Sequence, residues 1–294
     1  MCLMGKKSIK KNYIYNLTYQ ILTILTPLLT APYLSRVLGP SGVGTYSYIE
    51  SVCSYFVLFA TLGITTFGQR EISYVQQDRE KRSIIFWETN IIELFASLLS
   101  IIAYAIFSFI HSNWQLYIVL VFNLFAVIVN ISWFFQGLEE FGKIVLRNII
   151  FKMINIVFIF VVIKSPEDII WYLLGTSFFT FLNNASYWIS IKKYVDFPGF
   201  KKLNPSRHYK TVLSLFLPTI AMQVYTVLDK TMIGVITNSS FENGYYEQAL
   251  KISRMVLTVI TSLGTVMIPR IGYHFERKEK DIVKSYMYRG YRFV

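Results

Sequence analysis

Ile84-Ile-Phe-Trp-Glu-Thr-Asn-Ile-Ile-Glu-Leu-Phe-Ala-Ser-Leu-Leu-Ser-Ile-Ile-Ala-Tyr-Ala-Ile-Phe-Ser-Phe-Ile110 carries only two charged side chains, Glu88 and Glu93. Arg79, Lys81 and Arg82 stand just before it, and only residues 111–115 separate it from the next apolar run. About 20 apolar residues in helical form cross a hydrocarbon core roughly 30 Å thick. This stretch therefore reads as a membrane helix that is basic at one end and unmarked at the other. Working outward, seven more such runs give expected spans at 12–38, 43–67, 84–110, 116–137, 148–163, 169–191, 212–236 and 246–268. The fold class expected is an all-α, polytopic helix bundle in a membrane.

The same asymmetry recurs along the chain. Lys6, Lys7, Lys10 and Lys11 precede the first span, and Arg70, Arg79, Lys81 and Arg82 fill the second gap. Lys143, Arg147 and Lys152 mark the fourth gap, and Lys192, Lys193, Lys201, Lys202, Arg207 and Lys210 the sixth. Arg270, Arg277, Lys278, Lys280 and Lys284 follow the eighth span, so these gaps hold 22 of the 29 Lys and Arg residues. The intervening gaps hold Arg36, at a helix end, and Lys164. Cytoplasmic loops carry the Lys and Arg excess, so the N-terminus and the long loops are expected in the cytoplasm of a cell with this chain in its cytoplasmic membrane.

Composition excludes an ordinary soluble domain: 54% hydrophobic, 17% aromatic, mean hydropathy +0.45. The net charge of +12 would suggest nucleic acid in a soluble protein, but topology and attraction to anionic membrane lipid account for it here. No nucleic-acid partner is expected. Cys2 and Cys53 belong to different environments, which argues against a disulfide framework. The first apolar run is too long for a cleaved signal.

Residues 192–211 are the longest inward gap, with turn signals at Asp196-Phe-Pro-Gly199 and Asn204-Pro-Ser206. The expected organisation is a six-helix lobe at 1–191, a cytoplasmic linker at 192–211, and the start of a second lobe at 212–294. An internal repeat supports this. Pro27 and Pro218 lie 191 residues apart, Gly44 and Gly244 lie 200 apart, Gly63 and Gly264 lie 201 apart, and Arg70 and Arg270 lie 200 apart. Six helices separate the two units, so the repeat is parallel and its axis runs along the membrane normal. Tyr286-Met-Tyr-Arg-Gly-Tyr-Arg-Phe-Val294 resembles the start of a ninth helix, so a fragment or truncated product of a longer chain is expected.

Several stretches resemble the polysaccharide-biosynthesis flippases, the Wzx-type O-antigen and capsule exporters of the MATE-like superfamily. They are Leu34-Ser-Arg-Val-Leu-Gly-Pro-Ser-Gly-Val-Gly-Thr-Tyr-Ser-Tyr48, Tyr55-Phe-Val-Leu-Phe-Ala-Thr-Leu-Gly-Ile64 and Gly68-Gln-Arg-Glu-Ile72 in the first half. In the second half they are Leu228-Asp-Lys-Thr-Met-Ile-Gly234, Gly244-Tyr-Tyr-Glu-Gln-Ala249 and Ser262-Leu-Gly-Thr-Val-Met-Ile-Pro-Arg-Ile271. The resemblance implies two six-helix lobes around a central cavity. Alternating access between them would move an undecaprenyl-diphosphate-linked oligosaccharide outward. The implied partners are that lipid-linked substrate, membrane lipid, a coupling Na⁺ or H⁺, and other polysaccharide-assembly proteins. Such proteins have twelve or more helices, whereas this chain completes eight.

Ionisable groups inside a bilayer are costly and face a bundle interior or a wet cavity. Asp229 and Lys230 lie about 10 Å from the outer end of span seven, and Arg254 about 12 Å from the outer end of span eight. Lys251 and Arg254 share a helix face, while the adjacent Asp229 and Lys230 point apart. Lys230, Lys251 and Arg254, with Arg36, are the candidate cations for a diphosphate headgroup, because Arg and Lys supply charge-assisted hydrogen bonds to phosphate oxygens. The structural alternative pairs Asp229 with Arg254 and Glu247 with Lys251. Glu93 and Glu50, the latter on a Tyr46/Glu50 stripe, are candidate coupling carboxylates, and each has ion pairing as its alternative. Asn130, Asn155, Asn183, Asn184 and other in-span amides suit interhelical hydrogen bonds or sugar contact. His111, His208 and His274 fall in separate loops with no cysteine or carboxylate cluster near, so neither a metal site nor a cofactor is expected.

Four functions compete. A lipid-linked oligosaccharide flippase fits best. A MATE-type cation-coupled drug exporter would favour a site rich in carboxylates. A membrane-embedded polymerase or glycosyltransferase would need large outer loops, and a non-transporting scaffold has no specific signal. No catalytic constellation is present, so the chain is not expected to be an enzyme.

Overall fold

A computed structural model describes residues 9–254 continuously and a few isolated positions beyond, with side-chain environments from residue 21 onward, residue 24 excepted. The far end of the eighth expected span, Gly264, Arg270 and the start of a ninth helix lie outside that description, as do the side chains of Asn16 and Gln20. Among the described residues every regular element is helical.

The chain opens with α1 (Ile9–Val37), which tolerates Pro27 and Pro32 in its interior. Helix α2 (Gly39–Thr61) follows directly, with Pro40 in its first turn, where the missing N–H costs nothing. The expected span at 43–67 is broken. Leu62 (φ 45°) and Gly63 (φ 73°) turn left-handed, and α3 (Ile64–Tyr74) sets off in a new direction. A Cβ at Gly63 would stand 3.1 Å from the backbone of Leu215 and Phe216, so the bend lets a later helix pack close. Hydropathy does not place such a break, because Leu62, Ile64 and Phe67 carry the apolar run a few residues past it.

Helix α4 (Arg79–Ile110) contains the stretch quoted first and measures about 48 Å. Asp78 caps it, its carboxylate accepting from the Lys81 backbone N–H at 3.0 Å. The expected span at 116–137 is three pieces, α5 (Trp114–Ile118), α6 (Val121–Ile128) and α7 (Ser132–Gly137). At the second break Asn130 Oδ1 accepts from the Ser132 N–H at 3.0 Å, competing with helix continuation. Helix α8 (Phe141–Val162) starts seven residues before the expected 148, so Lys143, Arg147 and Lys152 lie on a helix rather than in a loop. Helix α9 (Ile169–Ser186) begins beyond a capping box at Ser165 and Asp168 and passes into 3₁₀ turns at Tyr187–Lys193. Helix α10 (Tyr209–Thr237) and α11 (helical from 240 to 254) complete the described chain.

Five helical stretches are long and apolar enough to cross a membrane among the described residues. They are Gly39–Tyr74, Arg79–Ile110, Trp114–Gly137, Phe141–Val162 and Phe200–Thr237. Helix α9 is not one of them, its end being diluted by Asn183 and Asn184. The protein is an all-α polytopic membrane protein.

Three apolar clusters hold the helices together, the first reaching Val212 at the start of α10. One, around Phe67, Phe86, Trp133 and Tyr187, lies at the ends of the helices that carry the basic gaps, here the basic face. A second packs Ile49, Cys53, Tyr104 and Leu124, and a third joins Leu34, Val43 and Ile159 near the opposite, short-loop face. Helix α10 is different. It packs one side on α2 and α3 and leaves Leu217, Met222, Tyr225, Val235 and Ile236 exposed.

Candidate functional site

The first two turns of α2 and of α11 meet at the short-loop face. A Cβ on Gly44 would lie 1.6 Å from the Ser240 carbonyl oxygen, and one on Gly244 would lie 2.0 Å from the Pro40 carbonyl oxygen. Only glycine at both positions permits that approach. Ser41 Oγ and Ser240 Oγ lie 2.8 Å apart in the same seam. One turn deeper, Ser47 Oγ donates to Glu247 Oε2 at 2.9 Å. These pairs are 199 or 200 residues apart, the spacing of the internal repeat. Residues that touch their own repeat mates are those beside a two-fold axis.

Glu247 is the hub of this seam. It is 4% exposed, and it accepts from Lys230 Nζ on α10 at 2.6 Å and faces Lys251 Nζ on its own helix at 3.5 Å. Lys230 is itself 7% exposed. Its neighbour Thr231 holds α10 to α2 through Ser51 Oγ (3.0 Å) and the Tyr55 hydroxyl (3.2 Å). Glu50 completes the group: the Tyr46 hydroxyl, Lys230, Glu247 and Lys251 all act on it electrostatically. Lys251 Nζ also stands 5.7 Å from the centre of the Tyr46 ring. Two ammonium groups and two carboxylates thus converge, in formal balance, where α2, α10 and α11 meet.

The structure brings Lys230, Lys251 and Glu50 together and sorts the other candidates elsewhere. Asp229 points away from Lys230, stays exposed and accepts from the Tyr246 hydroxyl at 2.8 Å. Arg254, also exposed, donates to the Thr226 carbonyl at 3.3 Å. Arg36 is exposed in the last turn of α1, and among the described residues no ion pair joins it to the group. Glu93 sits inside the first six spans, 1% exposed. It faces the Trp133 indole without a well-aligned hydrogen bond, and the hydroxyls of Thr89 and Ser97, one turn to either side, are likewise buried without partners.

Sequence reasoning missed a second hub on the basic face. Glu88, 0% exposed, accepts from the Asn204 N–H (2.7 Å), from Arg207 Nε (3.0 Å) and Nη2 (2.5 Å), and bonds His208 Nε2 (2.8 Å). His208 therefore has a carboxylate beside it, brought there from α4, 120 residues away in sequence. The linker before α10 is strapped along the first turns of α4. Arg79 makes a bidentate pair with Asp196 (2.6 and 2.8 Å), Lys202 reaches Glu80 (2.7 Å), and Arg82 donates to the Tyr194 carbonyl (2.6 Å). The Arg79 guanidinium holds the exposed Asp196 carboxyl below the usual carboxylate range. No spacing signal announced the Glu88 hub. Ser47 and Glu247, by contrast, sit at the repeat offset.

The sequence pattern of the family described as "Polysaccharide biosynthesis protein" matches residues 9–274. The chain belongs to that family. A protein of Shigella dysenteriae named "Putative O-antigen transporter" is 23% identical over 294 residues, 96% of this chain and 73% of that protein. One of the same name from Escherichia coli K12 is 25% identical over 169 residues, 56% of this chain and 41% of its own length. Two solved structures share the fold. One, titled "protein A", has TM-score 0.64 at 16% identity, covering 92% of this chain and 67% of that one. The other is the MATE multidrug transporter DinF-BH, solved in a complex, with TM-score 0.55 at 15% identity, covering 97% and 70%.

Proposed function

We propose that this family member moves undecaprenyl-diphosphate-linked oligosaccharide units across the cytoplasmic membrane for surface polysaccharide assembly, with its N-terminus in the cytoplasm and 1–191 and 212–294 belonging to two lobes. The observation that carries this reading is the Lys230–Glu247–Lys251 group, its first two members buried, at the seam between repeat-related helices. In the resting arrangement Glu247 pairs with both ammonium groups and holds α2 through Ser47, while Glu50 balances the second positive charge. A diphosphate presents more anionic oxygens than one carboxylate and competes for the same ammonium groups. Its arrival frees Glu247 and removes the polar bond across the seam, so that headgroup capture and opening of the short-loop face become one event. Such a step needs ligand affinity to differ between the closed and open states, and the exchange of partners provides that difference.

Arg254 and Arg36 lie along the headgroup's path in this reading, and Asp229 orients Tyr246 beside it. Glu93, with Thr89 and Ser97, offers oxygen ligands in a dry site, a setting for the coupling H⁺ or Na⁺. Other polysaccharide-assembly proteins are the expected partners on either face. A cation-exporter reading is disfavoured because each carboxylate of the seam group is matched by an ammonium group.

The test is surface polysaccharide in cells lacking the gene, complemented with the full-length protein bearing Lys230→Met or Arg254→Ala. Loss of surface polysaccharide at normal protein level is expected for both. Normal export at normal level by Lys230→Met would sink the reading.

A further inference from the structure

The linker strapped along α4 carries a turn with two outward phenylalanines. Phe197 is 51% and Phe200 78% exposed, and their rings meet at 5.0 Å. Phe197 also stands edge-on to Trp87 of α4, 5.2 Å between ring centres, and the Trp87 indole N–H donates to the Asp196 carbonyl at 3.1 Å. Trp87 fixes the depth of this cluster. Ile110, at the short-loop end of α4, lies 23 residues beyond it. That is a rise of about 35 Å, slightly more than a hydrocarbon core of roughly 30 Å. Trp87 therefore stands where hydrocarbon gives way to headgroups on the basic face, the level that tryptophan favours. Its direction is equally defined. It precedes the exposed Leu94 by seven residues and the exposed Leu98 by eleven, about two and three helical turns. It thus continues the stripe that α4 turns outward, and Trp87, Phe197 and Phe200 form an aromatic edge at the rim of the bilayer.

Charge along this edge is one-sided. The nearby carboxylates are taken, Asp196 by Arg79 at 2.6 Å and Glu80 by Lys202 at 2.7 Å. Lys192, Lys193 and Lys201 are exposed in the same segment, and among the described residues no carboxylate pairs with them. Water is a poor surrounding for two such rings, and a zwitterionic headgroup leaves three cations without a net counter-charge. Amphipathic segments with aromatic rings and lysines bind at the boundary between headgroups and acyl chains, and anionic lipid strengthens them. We infer that the linker segment 192–202 is a membrane-surface anchor that binds anionic phospholipid of the leaflet at the basic face. Phe197 and Phe200 lie among the upper acyl carbons, and Lys192, Lys193 and Lys201 meet the phosphates. Lipid then holds the strap from one side while Arg79 and Glu88 hold it from α4. The composition of that leaflet thereby sets how readily the linker between α9 and α10 leaves α4. The inference does not depend on what the protein transports.

Photo-cross-linking tests it in the full-length protein, with Phe200→p-benzoylphenylalanine in nanodiscs of three parts phosphatidylcholine to one part phosphatidylglycerol. Irradiation should yield lipid adducts, with phosphatidylglycerol enriched at least threefold over its share of the bilayer. Lys192→Gln, Lys193→Gln and Lys201→Gln together should keep the lipid adducts and return their composition to that of the disc. In the unaltered protein, hydrogen exchange in residues 194–203 should be slower in these discs than in phosphatidylcholine alone. Adducts to the protein's own chain in place of lipid overturn the anchor, because the aromatic edge is then covered by other parts of the molecule. Lipid adducts in simple proportion to the disc overturn the anionic preference, as does enrichment that survives the triple substitution. Equal exchange in the two kinds of disc overturns the hold of lipid on the strap.

Discussion

Two buried glutamates organise opposite ends of this molecule, and they do so with partners of different burial. Glu247 at the short-loop seam takes a buried ammonium group, a second half-buried one and a buried hydroxyl. Glu88 at the basic face takes a backbone N–H, the Arg207 guanidinium, whose side chain is 50% exposed, and His208. Each carboxylate alone would be expensive to bury, and each is paired. The difference lies in what happens when the pairing breaks. Arg207 can return to water; Lys230 cannot. The seam is therefore a commitment between helices, whereas the strap is a contact the linker can leave and remake.

That contrast can be attacked in order of expected effect. Gly44→Leu should be the most severe change, since its Cβ would overlap the Ser240 carbonyl oxygen. The seam would not close, and a disulfide engineered between Ser41→Cys and Ser240→Cys would form in the parent and not in the Gly44→Leu background. Efficient cross-linking in that background would show that the helices stay together despite the added side chain.

Next, Glu247→Gln strands Lys230 in a buried site and should lower stability by ~3–5 kcal/mol, read as a lower Tm. Replacing both partners, Lys230→Met with Glu247→Met, should recover much of that loss, because no unpaired charge remains. If the double variant melts below Glu247→Gln, the pair is not the source of the effect.

Glu88→Gln should cost less, roughly 1.5–3 kcal/mol for weakened hydrogen bonds to charged groups, because the Arg207 guanidinium reaches solvent. Hydrogen exchange should rise in residues 194–208 and stay unchanged in α11. Faster exchange in α11 would mean that the two hubs are not independent.

The smallest effect belongs to Asp196. Its carboxyl is held below the usual range by Arg79, so the contribution of this pair is complete above the ordinary aspartate value of about 3.9. It is lost as pH falls through the lower folded value. Both partners are exposed, so salt screens the pair as well. Protection of the strap amides relative to their intrinsic exchange rates should fall on acidification in the parent and change less with pH in Asp196→Asn. Matching profiles would remove Asp196 from the account.

Legibility differed between the two regions for a physical reason. Lys230 and Lys251 stood out because cations within apolar stretches are anomalous, and the Glu247–Lys251 pair could be read from its i,i+4 spacing. Even Ser47 was within reach, lying 200 residues from Glu247 in a chain whose repeat has that period. Glu88 was not, because its partners belong to a linker 116 to 120 residues away that resembles an ordinary basic loop. The break after Thr61 was equally hidden. It depends on Leu62 and Gly63 adopting positive φ, with α10 packed against the bend, and neither leaves a mark on hydropathy.

What the sequence by itself determined is the helical, membrane-spanning character of the chain, because transfer from water to hydrocarbon is nearly additive over a local segment. Its internal repeat was legible too, because it is a comparison of the chain with itself. Which neighbour each buried charge takes was decided only by tertiary structure. Pairing depends on which helix faces meet, and the closest meeting here requires glycine at both 44 and 244.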